Sequence, residues 1–164
     1  MASYDYGLSG LIGKFIIQLE INSDADKFYE IYKQYKDVPK AVPHLFTGAK
    51  VTKGDGLVSG CIKEWNYILE GKAMTALEET TIDDATRTLT HHVIEGDVMK
   101  DYKKFDVIVE ANPKPSGQGT IGGSIVTVSI VYDRMNAKSP APFDYYKFFY
   151  QNIVNMDAHI STSK

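Results

Sequence analysis

The chain has 164 residues, 43% of them apolar and 24% charged, and its 18 basic and 21 acidic side chains leave a formal charge of -3. That length fits one domain, 1–164, and those proportions exclude disordered, collagenous and coiled-coil classes. A slightly acidic chain exerts no electrostatic pull on nucleic acid or anionic membrane, so neither is an expected partner. Apolar runs such as Ile125-Val126 break after two or three residues, far short of the ~20 that span a bilayer. The opening stretch Met1–Gly7 lacks the basic patch and apolar core of a leader, and Cys61 stands alone. A reducing, cytoplasmic setting is expected.

Phe15 to Ile21 ends in alternation and reads as a first strand, with Leu19 and Ile21 on one face and Gln18 and Glu20 on the other. Asn22-Ser23-Asp24 supplies capping side chains, and Phe28, Ile31, Tyr32 and Tyr35 recur at helical spacing, which predicts a helix over 24–36. Pro39 and Pro43 limit a second helix to about two turns around Ala41-Val42. Six further strands follow over 47–54, 60–69, 74–82, 86–95, 100–112 and 124–134, separated by turn signals such as Gly54-Asp55-Gly56, Glu70-Gly71-Lys72 and Glu95-Gly96-Asp97. The glycine-rich segment Gly117 to Gly123 makes the last hairpin loop long and mobile by expectation. After Ser139-Pro140-Ala141-Pro142, the spacing of Tyr146, Phe149, Ile153, Met156 and Ile160 predicts a terminal helix over 143–160. The order gives an α+β fold in which a seven-stranded antiparallel sheet bends around one long helix.

Strand alternation with Trp65 inward also turns Lys63, Tyr67 and Leu69 inward. An inward lysine among aromatics either polarises a ligand carbonyl or lays its stem along the wall with its ammonium at a cavity mouth. On the fifth strand Leu89, His91 and Val93 share a face, so only one histidine of the His91-His92 pair looks inward. His91 is then a proton shuttle or a hydrogen-bonded wall residue. His44, beside Pro43, is a second candidate, and His159 reads as a helix-face residue. Glu78-Glu79 and Asp83-Asp84 read as solvated carboxylates, because strand neighbours face opposite ways. Adjacent histidines and a single cysteine do not make a metal site. The Gly54-x-Gly56-x-x-x-Gly60 string fits neither a dinucleotide fingerprint nor a P-loop and reads as a structural turn. Phe105, Val107 and Val109 face Tyr146, Phe149 and Ile153 of the last helix, which alone predicts only a core.

The string from Gly54 to Lys63, with His92-Val93-Ile94-Glu95-Gly96-Asp97, resembles the glycine-rich loop and turn of the birch-pollen-allergen-like superfamily. Within it, Gly10-Leu11-Ile12-Gly13-Lys14, Ile62 to Tyr67, Met99 to Phe105 and Ser139 to Tyr145 are similar to plant major latex proteins, in particular a poppy latex group associated with alkaloids. The resemblance implies a helix-grip fold: the sheet wraps the carboxy-terminal helix, two short helices sit at one end, and a hydrophobic cavity lies between. It further implies a morphinan or benzylisoquinoline alkaloid as ligand, no cofactor, a monomer or homodimer, and the cytosol of latex. The activity it implies is a cofactor-independent isomerase that shifts a β,γ-enone to the α,β-enone, as neopinone goes to codeinone. The alternatives are a carrier that binds alkaloids without converting them and an elimination enzyme of the thebaine-forming kind. In that setting His91 shuttles protons, Lys63 or a hydroxyl of Tyr32 or Tyr67 holds the ketone oxygen, and Trp65 and Phe105 pack on the ring system and its ammonium. Leu89, Val107, Tyr146 and Phe149 complete the expected ligand wall.

Overall fold

The computed structural model describes residues 10–115 and 123–162. In chain order the elements are β1 (Ile12–Ile21), α1 (Ala25–Lys33), α2 (Val38–Ala41), β2 (Phe46–Lys53), β3 (Cys61–Leu69), β4 (Lys72–Asp83), β5 (Thr88–Gly96), a 3-10 turn (Asp97–Lys100), β6 (Tyr102–Pro113), β7 (Ser124–Arg134) and α3 (Phe143–Thr162). The seven strands form one antiparallel sheet in the order β1-β7-β6-β5-β4-β3-β2. This is the expected α+β architecture of a sheet, two short helices and a long terminal helix.

Where boundaries differ from the sequence reading, a neighbour explains it. β1 begins at Ile12 rather than Phe15 because β7 pairs along it from Ile12↔Asp133 to Ile21↔Ser124, recruiting three residues whose own pattern is mixed. Asp24 caps α1 by accepting from the backbone N–H of Asp26 and Lys27. The helix stops at Lys33, not 36, because Gln34 leaves the helical region. Pro39 sits in the first turn of the four-residue α2, where its missing N–H costs nothing. The glycine-rich loop expectation falls on residues 117–122, outside the described ones.

Two turns fix the register that matters. Glu70 and Gly71 both have positive φ (48° and 79°), a two-residue hairpin loop that pairs Leu69 with Lys72 and, farther along, Lys63 with Glu78. At the end of β5 one extra residue slips in between the pairs Glu78↔Val93 and Leu77↔Glu95. Gly96 follows with φ 126°, and a Cβ there would lie 2.2 Å from the Thr75 carbonyl oxygen, so only glycine fits this corner.

The interior side of β6 and β7 carries Val107, Val109, Ala111, Val126, Val128 and Ile130, all buried in one cluster with Ile153 and Met156 of α3. Among the described residues no helix is long and apolar enough to cross a membrane.

Candidate functional site

Between the sheet and α3 lies a cavity whose wall is mostly aromatic and aliphatic. β3 gives Trp65 and Tyr67, β6 gives Phe105 and Val107, α1 gives Tyr32, and α3 gives Tyr145, Phe148 and Phe149. β4 and β5 add Ala76, Glu78, His91 and Val93. The cavity has a volume of about 50 Å³. That is room for a few waters, so a guest with several rings enters only if wall side chains move outward. Two rings stand where such movement would open the space. Tyr145 also lines an outer hollow with Asp97, Asp101 and Asp144, and Phe148 lines another beside Lys147 and Gln151. The Tyr67 and Tyr145 hydroxyls, 2.5 Å apart, tie β3 to α3 at this wall.

The polar groups in this wall are few and largely buried. Glu78 keeps 15% of its side-chain surface, and its Oε1 lies 3.7 Å from His91 Nδ1. That ring nitrogen is engaged by Thr80 Oγ1 at 3.0 Å. Burial pushes the Glu78 carboxyl up to about 7, opposed by the Lys63 ammonium. Burial, and then the Lys63 charge, bring His91 down to about 3, so its imidazole is neutral at physiological pH. Burial above all, with the Glu78 charge, raises the Tyr32 phenol beyond its usual range. The Tyr32 hydroxyl and the Trp65 indole nitrogen are both buried, and neither has a hydrogen-bond partner among the described residues. Among those residues no three His, Cys, Asp or Glu side chains gather closely enough to share a metal ion.

The sequence model of the pathogenesis-related protein Bet v 1 family matches residues 11–163. The chain belongs to that family. It is 44% identical to major latex protein 146 of Papaver somniferum over 161 residues, which is 98% of this chain and 99% of the relative. Major latex protein 22 of the same plant is 45% identical over 148 residues, 90% of each chain. Among solved structures, a crystal structure of ginseng major latex-like protein 151 from Panax ginseng superposes with a TM-score of 0.84 at 31% identity, covering 92% of this chain and 98% of that one. The solution structure of a major latex protein family member from Arabidopsis thaliana gives a TM-score of 0.68 at 31% identity, covering 96% and 99%.

In this Bet v 1 family chain the expected site residues separate into three groups. Tyr32, Trp65, Tyr67, His91, Phe105, Val107 and Phe149 line the cavity. Lys63 and Leu89 are buried, at 2% and 1% exposure, but lie outside the lining. Leu89 pairs with Ile82 and Val109, toward the solid part of the core. The Lys63 ammonium turns away to the β2–β3 loop, donating to the Gly56 carbonyl at 3.5 Å and lying 5.5 Å from the Tyr35 ring centre. A Cβ on Gly56 would meet that ring at 2.4 Å, so the glycine-rich string serves as a seat for Lys63 and Tyr35. Lys63 therefore acts on the cavity through its field rather than by contact.

The third group is a correction. Tyr146 is 42% exposed and meets the Phe15 ring edge-on, outside the cavity. The repeat through Phe149, Ile153, Met156 and Ile160 extends back to either Tyr145 or Tyr146. The buried face, which includes Asn152, is centred nearer Tyr145, leaving Tyr146 roughly a quarter-turn away. Of the other histidines, exposed His44 bonds through Nε2 to Asn155 Nδ2 on α3, and His92 points outward to Asp106 at 2.7 Å.

Tyr145 and Phe148 went unnamed as wall residues in the sequence reading, and Glu78 is the acidic residue that it missed. Pairing it with Glu79 as solvated carboxylates stopped short of asking which of the two faces inward. Counting back from the two-residue turn at Glu70-Gly71 answers that, because it sets Glu78 opposite the inward Lys63.

Proposed function

We propose that this chain is a cofactor-independent isomerase of alkaloid enones, converting neopinone to codeinone in the latex cytosol. The observation that supports the reading most strongly is the convergence of a carboxyl titrating near 7 and two unpartnered donors in an otherwise apolar cavity. Moving a double bond from the β,γ to the α,β position needs those parts. A base must take the proton next to the ketone, a donor must hold the dienolate oxygen, and an acid must return a proton at the far carbon. The aromatic rings of Trp65, Phe105 and Phe149 supply faces for a fused-ring ammonium. The poppy relatives, at 44% identity over nearly the whole chain, support the setting.

The test is to incubate purified protein with neopinone and follow codeinone. The expected outcome is isomerisation faster than the buffer reaction and saturable in substrate. Saturable binding with no rate increase would replace the isomerase by a carrier that uses the same cavity.

A further inference from the structure

We infer that Glu78 is the group that carries the proton in this cavity, and that the Tyr32 hydroxyl and the Trp65 N–H receive the ketone oxygen of the guest. This assignment rests on the isomerase reading and moves the shuttle from His91 to Glu78.

Three geometric facts carry it. First, Glu78 lines the cavity, and among the described residues no hydrogen bond occupies its carboxylate; His91 Nδ1, 3.7 Å from it, is held by Thr80. Second, the cation paired with Glu78 across the β3–β4 ladder, Lys63, points its ammonium to Gly56 instead of forming an ion pair. Third, Tyr32 and Trp65 are 7% and 6% exposed, line the same cavity and keep a donor apiece without an acceptor among the described residues. A buried donor left unmade is costly, so a guest that offers an acceptor oxygen gains the difference.

The titratable groups around Glu78 are Lys63 and Tyr67 on β3, His91 on β5 and Tyr32 on α1, with Tyr145 of α3 bonded to Tyr67. His91 is neutral and the phenols are raised, whereas Glu78 changes charge near neutral pH. One carboxylate suffices for the whole reaction. It takes the proton from the carbon between carbonyl and alkene, and the C–H electron pair becomes a dienolate whose oxygen is held by the Tyr32 O–H, which keeps its own proton. The Glu78 acid then gives the same proton to the far alkene carbon, two bonds away. The electron pair closes the conjugated alkene, the carbonyl re-forms and the carboxylate is restored. No oxidant, reductant or second substrate enters.

The experiment uses neopinone deuterated at the carbon next to the ketone, with product analysed by mass spectrometry, and kcat and KM measured from pH 5 to 9. For the wild type, kcat/KM rises with pH to a plateau, with its midpoint at about 7, and part of the deuterium appears at the far carbon of codeinone. Glu78→Gln lowers kcat at least about 100-fold while still quenching the fluorescence of Trp65, the single tryptophan of the chain, when codeinone is added. Tyr32→Phe lowers kcat by roughly 10²-fold with KM little changed. Lys63→Met moves the midpoint to higher pH, because the ammonium favours the charged carboxylate. A Glu78→Gln enzyme within threefold of wild type would overturn the assignment while leaving the isomerase intact. A wild type that binds codeinone but does not speed isomerisation would bring down both.

Discussion

The two halves of the sheet use the same alternation to different ends. β6 and β7 turn Val109, Ala111, Val126, Val128 and Ile130 inward, each 3% exposed or less and none in contact with the cavity. β3, β4 and β5 turn Lys63, Glu78, Thr80 and His91 to the same side. The first half stabilises the fold by burying apolar surface. The second spends some of that stability to hold polar groups, among them Glu78 and His91, whose charged forms burial disfavours. The difference teaches that a pleated sheet can be core and reactive surface at once, with the buried polar groups gathered on β3, β4 and β5.

The sharpest way to break this division is to hollow the solid half. Ile130→Ala is expected to lose about 3–4 kcal/mol in urea unfolding, since Ile130 is fully buried and outside the cavity lining. A loss below 1 kcal/mol would show that the free space extends under β7.

The cavity half should respond with the opposite sign. The Glu78 carboxyl rises from 4.5 to about 7 on folding, so the native state holds this proton more tightly and the associated stability is lost as pH climbs from 4.5 through 7. Glu78→Gln is therefore expected to gain up to about 3 kcal/mol at pH 8. His91 works the other way. Its drop from 6.5 to about 3 means stability is lost as pH falls from 6.5 toward 3. Between pH 4.5 and 6.5 the two slopes cancel in the wild type. In Glu78→Gln the histidine's contribution is unmasked, and urea unfolding should show stability rising with pH across that window. A flat profile in the variant would contradict the neutral state assigned to His91.

The smallest effect belongs to the tie between the halves' common wall and α3. Tyr145→Phe removes the hydrogen bond to Tyr67 and should cost about 1 kcal/mol. The same change should speed the entry of codeinone, followed by stopped-flow quenching of Trp65. An unchanged entry rate would show that this ring is not part of the way in.

Much of the solid half was legible in the chain. The alternation of Val126, Val128 and Ile130 marks β7 over 124–134, and the structure agrees to the residue. Proline and glycine placed the turns, and Asp24 marked the helix start. The cavity half was less so, because alternation tells only that a side chain points inward. It does not distinguish a packed interior from an open one, or say where a long flexible side chain ends. Lys63 was read correctly as inward, yet its ammonium goes to a loop carbonyl that folding brings near. Tyr146 and Tyr145 differ by one helical step, which a three-or-four repeat cannot separate. Glu78 required the register of a hairpin, a property of two strands together.

The unsatisfied phenol and indole have a consequence for what the protein will accept. A saturated hydrocarbon of suitable outline would leave both stranded, each at roughly 1–3 kcal/mol, whereas a ketone of the same shape answers them. A guest that offers an acceptor oxygen is therefore expected to bind more tightly than a hydrocarbon of the same outline.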